Sequence, residues 1–187
     1  MRTLSLRTVA TRLRVSALFS IALMTFFATA PLRAEDPATF KVGDFTFTRP
    51  AKWQWVEVSS PMRKAQLKIA DGDKSADVVF YDFGPGGAGG VQANVQRWLR
   101  QFDPRDKEKV NETTIGKTKV TYVQAEGTFH SGMPGGPTTP MEGYALMGAI
   151  IESDNGDVFV KLTGPKALVE ASVAHFKKMI ESGPKKD

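Results

Sequence analysis

The chain has 187 residues, with 25 Lys and Arg against 20 Asp and Glu, two histidines and no cysteine. The absence of cysteine excludes structural disulfides, thiolate metal sites, a thiol nucleophile and a lipid-modified N-terminal cysteine. Five arginines (Arg2, Arg7, Arg12, Arg14, Arg33) fall in the first 34 residues, which hold no acid, so the remainder carries 20 bases against 20 acids. That balance leaves no electrostatic footprint for nucleic acid.

Four of those arginines precede an apolar run over residues 15–30, and Ala34 closes a short exit. Charge, apolar core and small residue in that order form the layout of a secretory signal peptide. The apolar run is shorter than the roughly 20 residues a spanning helix needs. The reading is cleavage at Ala34–Glu35, giving a secreted or periplasmic protein with no membrane anchor; retention as an N-terminal signal anchor is the alternative. Residues 35–39 read as a short flexible lead-in, 40–182 as a single domain and 183–187 as a frayed tail.

From Phe40 onward the chain alternates as strands do. Gly43-Asp44 separates two short strands, and in the second Phe45 and Phe47 share one face. Pro50 ends it, and Trp53 to Val58 follows with Trp53 and Trp55 on a common face. A strand with Ala65, Leu67 and Ile69 inward, an Asp-Gly-Asp turn at 71–73 and a mostly buried strand over 77–83 complete the first half. The glycine loop 84–90 opens a helix in which Val91, Val95, Trp98 or Leu99, and Phe102 recur at helical spacing. Asp103-Pro104 stops it. Four strands are expected next, over 109–115, 117–129, 143–153 and 157–163, with Asp154-Asn155-Gly156 as a tight turn. Pro165 starts a final helix with Val169, Val173, Phe176 and Ile180 inward, and Gly183-Pro184 ends it. Five strands, a helix, four strands and a helix, joined by mostly short connections, predict an α+β fold: an antiparallel sheet with two amphipathic helices packed on it.

The hairpin Phe45-Thr-Phe-Thr-Arg-Pro followed by Trp53, the strand 77–83 leading into a helix, and Val158-Phe-Val-Lys-Leu-Thr-Gly-Pro before an amphipathic helix resemble the PsbP-type α/β sandwich over most of residues 40–182. The resemblance implies the fold and an accessory or scaffold role. It carries over no catalytic residue.

Chemistry is sparse. Gly84-Pro-Gly-Gly-Ala-Gly89 matches G-x-G-x-x-G between a strand and a helix. Four strands precede that strand, however, whereas a dinucleotide fingerprint sits in the first βα turn. A tight glycine turn is the simpler reading, and no cofactor is expected. His130 and His175 lie far apart without a carboxylate or histidine at helical spacing, so no metal site is expected. No Gly-x-Ser-x-Gly elbow or His-Glu-x-x-His motif occurs. The reading is therefore an exported, non-enzymatic accessory or binding domain with a protein or small-molecule partner. A first alternative is small-ligand or glycan binding in a cleft between loops 84–90 and 131–140, with Asp82, Arg97 and His130 as polar contacts and Trp53 and Trp55 as a stacking platform. A second is a secreted hydrolase using His130 with Ser131 or Asp82.

Intact-mass measurement of the exported protein is expected to find Glu35 as the first residue. A species that keeps Met1 to Ala34 in the membrane fraction overturns the leader reading.

Overall fold

The computed structural model describes residues 36–132 and 136–184. Residues 1–35, on which the signal-peptide reading falls, residues 133–135 of the second glycine-proline loop and residues 185–187 lie outside the described residues. Eleven elements follow one another: β1 (Thr39–Val42), β2 (Phe45–Thr48), β3 (Gln54–Val56), β4 (Ala65–Asp71), β5 (Lys74–Asp82), α1 (Val91–Leu99), β6 (Phe102–Ile115), β7 (Thr118–Ser131), β8 (Thr139–Ile151), β9 (Val158–Pro165) and α2 (Lys166–Ser182). The expected α+β architecture is present.

β3 to β9 form one sheet in the order β3-β4-β5-β9-β8-β7-β6, antiparallel at every step, and β1 and β2 pair separately. Because strand side chains alternate between faces, each buried strand feeds two cores. On one face Leu67, Val78, Phe80, Met147, Val160 and Leu162 pack against α2 and the β1–β2 hairpin. On the other, Val123, Ala125, Phe129, Leu146, Ile150 and Phe159 pack against Val95, Trp98 and Leu99 of α1.

The connection through α1 decides where the functional surface lies. β5 and β6 run parallel, since three strands and four antiparallel pairings separate them. The chain must therefore cross the sheet between them, and α1 does so over β9, β8 and β7. This helix has only nine residues, so it leaves the β4–β5 side of that face uncovered. Its anchor is Trp98: a Cβ on Gly148 of β8 would stand 2.3 Å from the indole, so the ring lies directly on bare backbone.

Two local expectations are corrected, and contacts are found at both ends of the described chain. The helix ends at Leu99, ahead of Asp103-Pro104, and the strand expected from Lys109 starts earlier. β6 starts at Phe102, because the end of β7 offers partners (Phe102 to Phe129, Arg105 to Gly127) across two register shifts. Non-local pairing, not the local sequence, sets where the strand begins. Similarly β8 begins at Thr139 rather than Gly143, with Ser131 opposite Thr139 and His130 opposite Pro140, which shortens the loop expected over 131–140. The lead-in is tied down at Asp36 and Pro37: Arg49 Nε donates to the Pro37 carbonyl at 2.8 Å and Nη2 to that of Asp36 at 3.1 Å. At the other end Gly183, placed in a frayed tail, is buried against the Phe47 ring. Among the described residues no helix is long and apolar enough to cross a membrane.

Gly148→Ala is expected to lift Trp98 off the sheet and lower the unfolding free energy by roughly 1–3 kcal/mol, as overpacking of a tight contact does. In a Trp98→Leu background the same substitution should cost clearly less, a non-additivity that urea denaturation of the four proteins measures directly. Equal costs in both backgrounds would show that the contact does not anchor α1.

Candidate functional site

A cavity of about 620 Å³ opens where α1 stops short of covering the sheet. Its floor and walls include Tyr81 at the end of β5, Phe159 and Lys161 of β9, and Asn94, Arg97 and Trp98 of α1. Arg100 and Gln101, in the turn after α1, and His130, Gly132 and Thr138, from the β7–β8 hairpin, close one side. Met62 and Phe83 stand at the rim, exposed at 60% and 37%.

Lys161 is the central charge. It pairs with Gly148 across β8–β9, so its side chain rises from the sheet beside the indole that rests on Gly148. Its Nζ donates to Gln101 Oε1 at 2.6 Å and lies 6.0 Å from the Trp98 ring centroid and 5.8 Å from that of Phe129. Burial disfavours the charged form and pushes the ammonium pKa down to about 8. Arg97 is held by Asn94, whose Nδ2 donates to the Ala88 and Gly90 carbonyls at 2.9 and 2.7 Å and whose Oδ1 accepts from Arg97 Nη1 at 2.5 Å. Asn94 thereby fixes both the loop entering α1 and the direction of one cavity cation.

The structure brings together two of the five residues singled out from sequence. Arg97 and His130 both line the cavity. Asp82 does not: it shares strand parity with Val78 and Phe80, which face α2, and its carboxylate accepts from the Gly84 N–H at 2.8 Å. Trp53 is buried at 4% exposure in the α2-side core, and Trp55 packs half-buried against Phe40 with ring centroids 5.4 Å apart. A tryptophan pair covered by the β1–β2 hairpin offers no free stacking platform.

The cleft expected between the two glycine-rich loops does not form. The register Asp82–Val158, Val158–Ile151 and Ile151–Val120 puts loop 84–90 at one end of the strands, whereas the β7–β8 connection is at the other. Loop 84–90 instead lies against the turn at 153–157, where Gly156 approaches Gly84 so closely that a Cβ would sit 2.6 Å from backbone. The hydrolase constellation is likewise not assembled. His130 Nε2 is 2.8 Å from the Asp103 carbonyl and Nδ1 3.4 Å from Thr138 Oγ1, so neither ring nitrogen meets a carboxylate. Ser131, adjacent on the same strand, points to the opposite face and donates to the Thr139 carbonyl at 3.3 Å.

Sequence reasoning missed Lys161, Tyr81, Phe83 and Trp98 as cavity residues. A signal existed in Val158-Phe-Val-Lys-Leu, where a lone lysine interrupts an otherwise apolar central strand and shares a face with Phe159.

No family model and no curated protein matches the chain. Its fold is similar to the solution structure of cyanobacterial PsbP (CyanoP) from Synechocystis sp. PCC 6803, at 9% identity and a TM-score of 0.48, covering 75% of this chain and 85% of that one. It is also similar to the crystal structure of PA94 from Pseudomonas aeruginosa, described as a protein of unknown function and putative regulator, at 14% identity and a TM-score of 0.45, covering 82% and 99%. The likeness concerns the fold alone.

Lys161 makes stability depend on pH in a definite direction. Its pKa falls from 10.5 in the unfolded chain to about 8 in the fold, so between those values the unfolded chain binds more protons and stability rises with pH. Tyr81 and Tyr122 act oppositely above about pH 10, because burial raises both hydroxyls, Tyr122 to about 12. Urea denaturation is expected to show wild-type stability climbing by about 1–3 kcal/mol from pH 8 to 10 and a Lys161→Met variant showing no such climb. A flat wild-type profile over that window would mean Lys161 keeps its full hydration.

Proposed function

We propose that the chain is an exported, non-enzymatic binding domain that takes up a small molecule between α1 and the sheet. The carrying observation is the cavity itself. Its volume of about 620 Å³ is that of small-molecule sites, and it combines aromatic walls with a few convergent polar groups, as such sites do. Asn94, Gln101, Arg97, Lys161 and His130 supply those groups from three separate segments. Export is supported by the order of charge, apolar run and Ala34 in residues 1–34. The geometry of His130 and Ser131 favours binding over hydrolysis, since the two point apart and neither has a carboxylate partner among the described residues.

The reading is tested by NMR on the exported, isotope-labelled protein with mixtures of small organic fragments. Shifts are expected to cluster at the Trp98 indole N–H and at the amides of Gln101, Phe159 and Lys161. Shifts confined to the α2 face, or ester hydrolysis that disappears in His130→Ala, would overturn it.

A further inference from the structure

We propose that the ligand of this cavity is a small organic carboxylate, its charge set against Lys161 and its apolar body laid along Phe83, Trp98 and Phe159. The inference rests on the cavity being the ligand site and names what that site selects.

The charge inventory is one-sided. Arg97, Arg100 and Lys161 line the cavity and, among the described residues, no acidic residue does, although acids and bases are equal in number after residue 34. Elsewhere in the fold several cations do have an acid: Arg49 lies 4.0 Å from Asp36, Arg105 2.6 Å from Glu108, and Lys166 2.6 Å from Glu126. Among the described residues no carboxylate comes within that range of Lys161, Arg97 or Arg100. Lys161 has a neutral amide oxygen instead, from Gln101, and Arg97 has another from Asn94. An amide satisfies a hydrogen bond and leaves the charge uncompensated. Arg97 and Arg100 sit near the C-terminal end of α1, where cations complement the helix dipole. Lys161 stands on the sheet and has no such role.

Two features separate a carboxylate from inorganic phosphate. The cavity meets the C-terminal half of α1, whose partial negative charge opposes a multiply charged anion. Its rim also holds Met62 and Phe83, two of the three large hydrophobic side chains left exposed among the described residues. An apolar surface concentrated at one opening calls for an apolar ligand body. The ammonium is retained there at a cost to the fold, which is the pattern of a functional group rather than a packing one.

Isothermal titration of the exported protein at pH 7 tests this with 4-phenylbutyrate, its neutral amide, the corresponding amine, butyrate and inorganic phosphate. 4-Phenylbutyrate is expected to bind about tenfold more tightly than the amide, the gain a charged hydrogen-bond partner supplies. It should also exceed butyrate and phosphate by at least as much, and the amine should bind most weakly. Lys161→Met should bring 4-phenylbutyrate down to the affinity of the amide while leaving the amide unchanged. Arg97→Gln should lower carboxylate affinity by a smaller factor, and high salt should weaken the carboxylate alone. Amide or amine binding as tightly as the carboxylate overturns the charge assignment but keeps a ligand cavity. Phosphate or butyrate matching 4-phenylbutyrate overturns the apolar half of the proposal. Failure of every probe, together with a silent fragment screen, overturns the cavity reading itself.

Discussion

The α1 face of the molecule depends on the contact between the Trp98 indole and the bare backbone of Gly148. A crossover helix of nine residues has few side chains with which to hold a sheet of seven strands. By meeting backbone instead of a side chain, the indole lets α1 approach closely enough for Val95 and Leu99 to reach Val123, Leu146 and Ile150. The same closeness sets the position of everything attached to the helix. Arg97 leaves α1 one residue before the indole, and Gln101 follows three residues after it. The cavity is the space left between a tightly seated short helix and a sheet wider than the helix can cover.

Lys161 turns that space into a chemical environment. Gly148 and Lys161 are register partners, so the ring that occupies the glycine's position also shields the neighbouring ammonium from water. A methionine or leucine there would continue the apolar face of β9 without penalty. The lysine instead keeps one amide acceptor and two aromatic faces, each near the limit of useful cation–π distance. Packing and electrostatics therefore oppose each other at this one position, while they agree along the α2 face, where Leu162, Val160 and Val158 are all buried and apolar.

The fold was legible in the sequence where burial imposed a period. Val169, Phe176 and Ile180 are on the buried side of α2, and Val95 with Trp98 and Leu99 on that of α1, as their spacing requires. What escaped was set by distant partners. β6 extends back to Phe102 because β7 is long enough to receive it, a fact that Asp103-Pro104 conceals locally. The site was half legible. Arg97 and His130 belong to it, but alternation says only that Trp53 and Trp55 share a face, not that a separate hairpin covers that face. Asp82 went astray by strand parity, one position from Tyr81, which does line the cavity. Lys161 is not singled out by the sequence, because nothing local shows that its strand lies at the centre of the sheet.

The two lateral borders of the large sheet are guarded by opposite means. β3 ends one side after three residues, too short to template another strand. β6 ends the other with 14 residues, exposed from Asp103 to Thr114. On length alone that border invites an incoming strand, yet Pro104 lacks an N–H to offer and Arg105, Asp106, Lys107, Glu108 and Lys109 present alternating charge along it. Any chain adding there would have to desolvate that row of charges, so the sheet is closed to runaway growth while its longest strand stays in water.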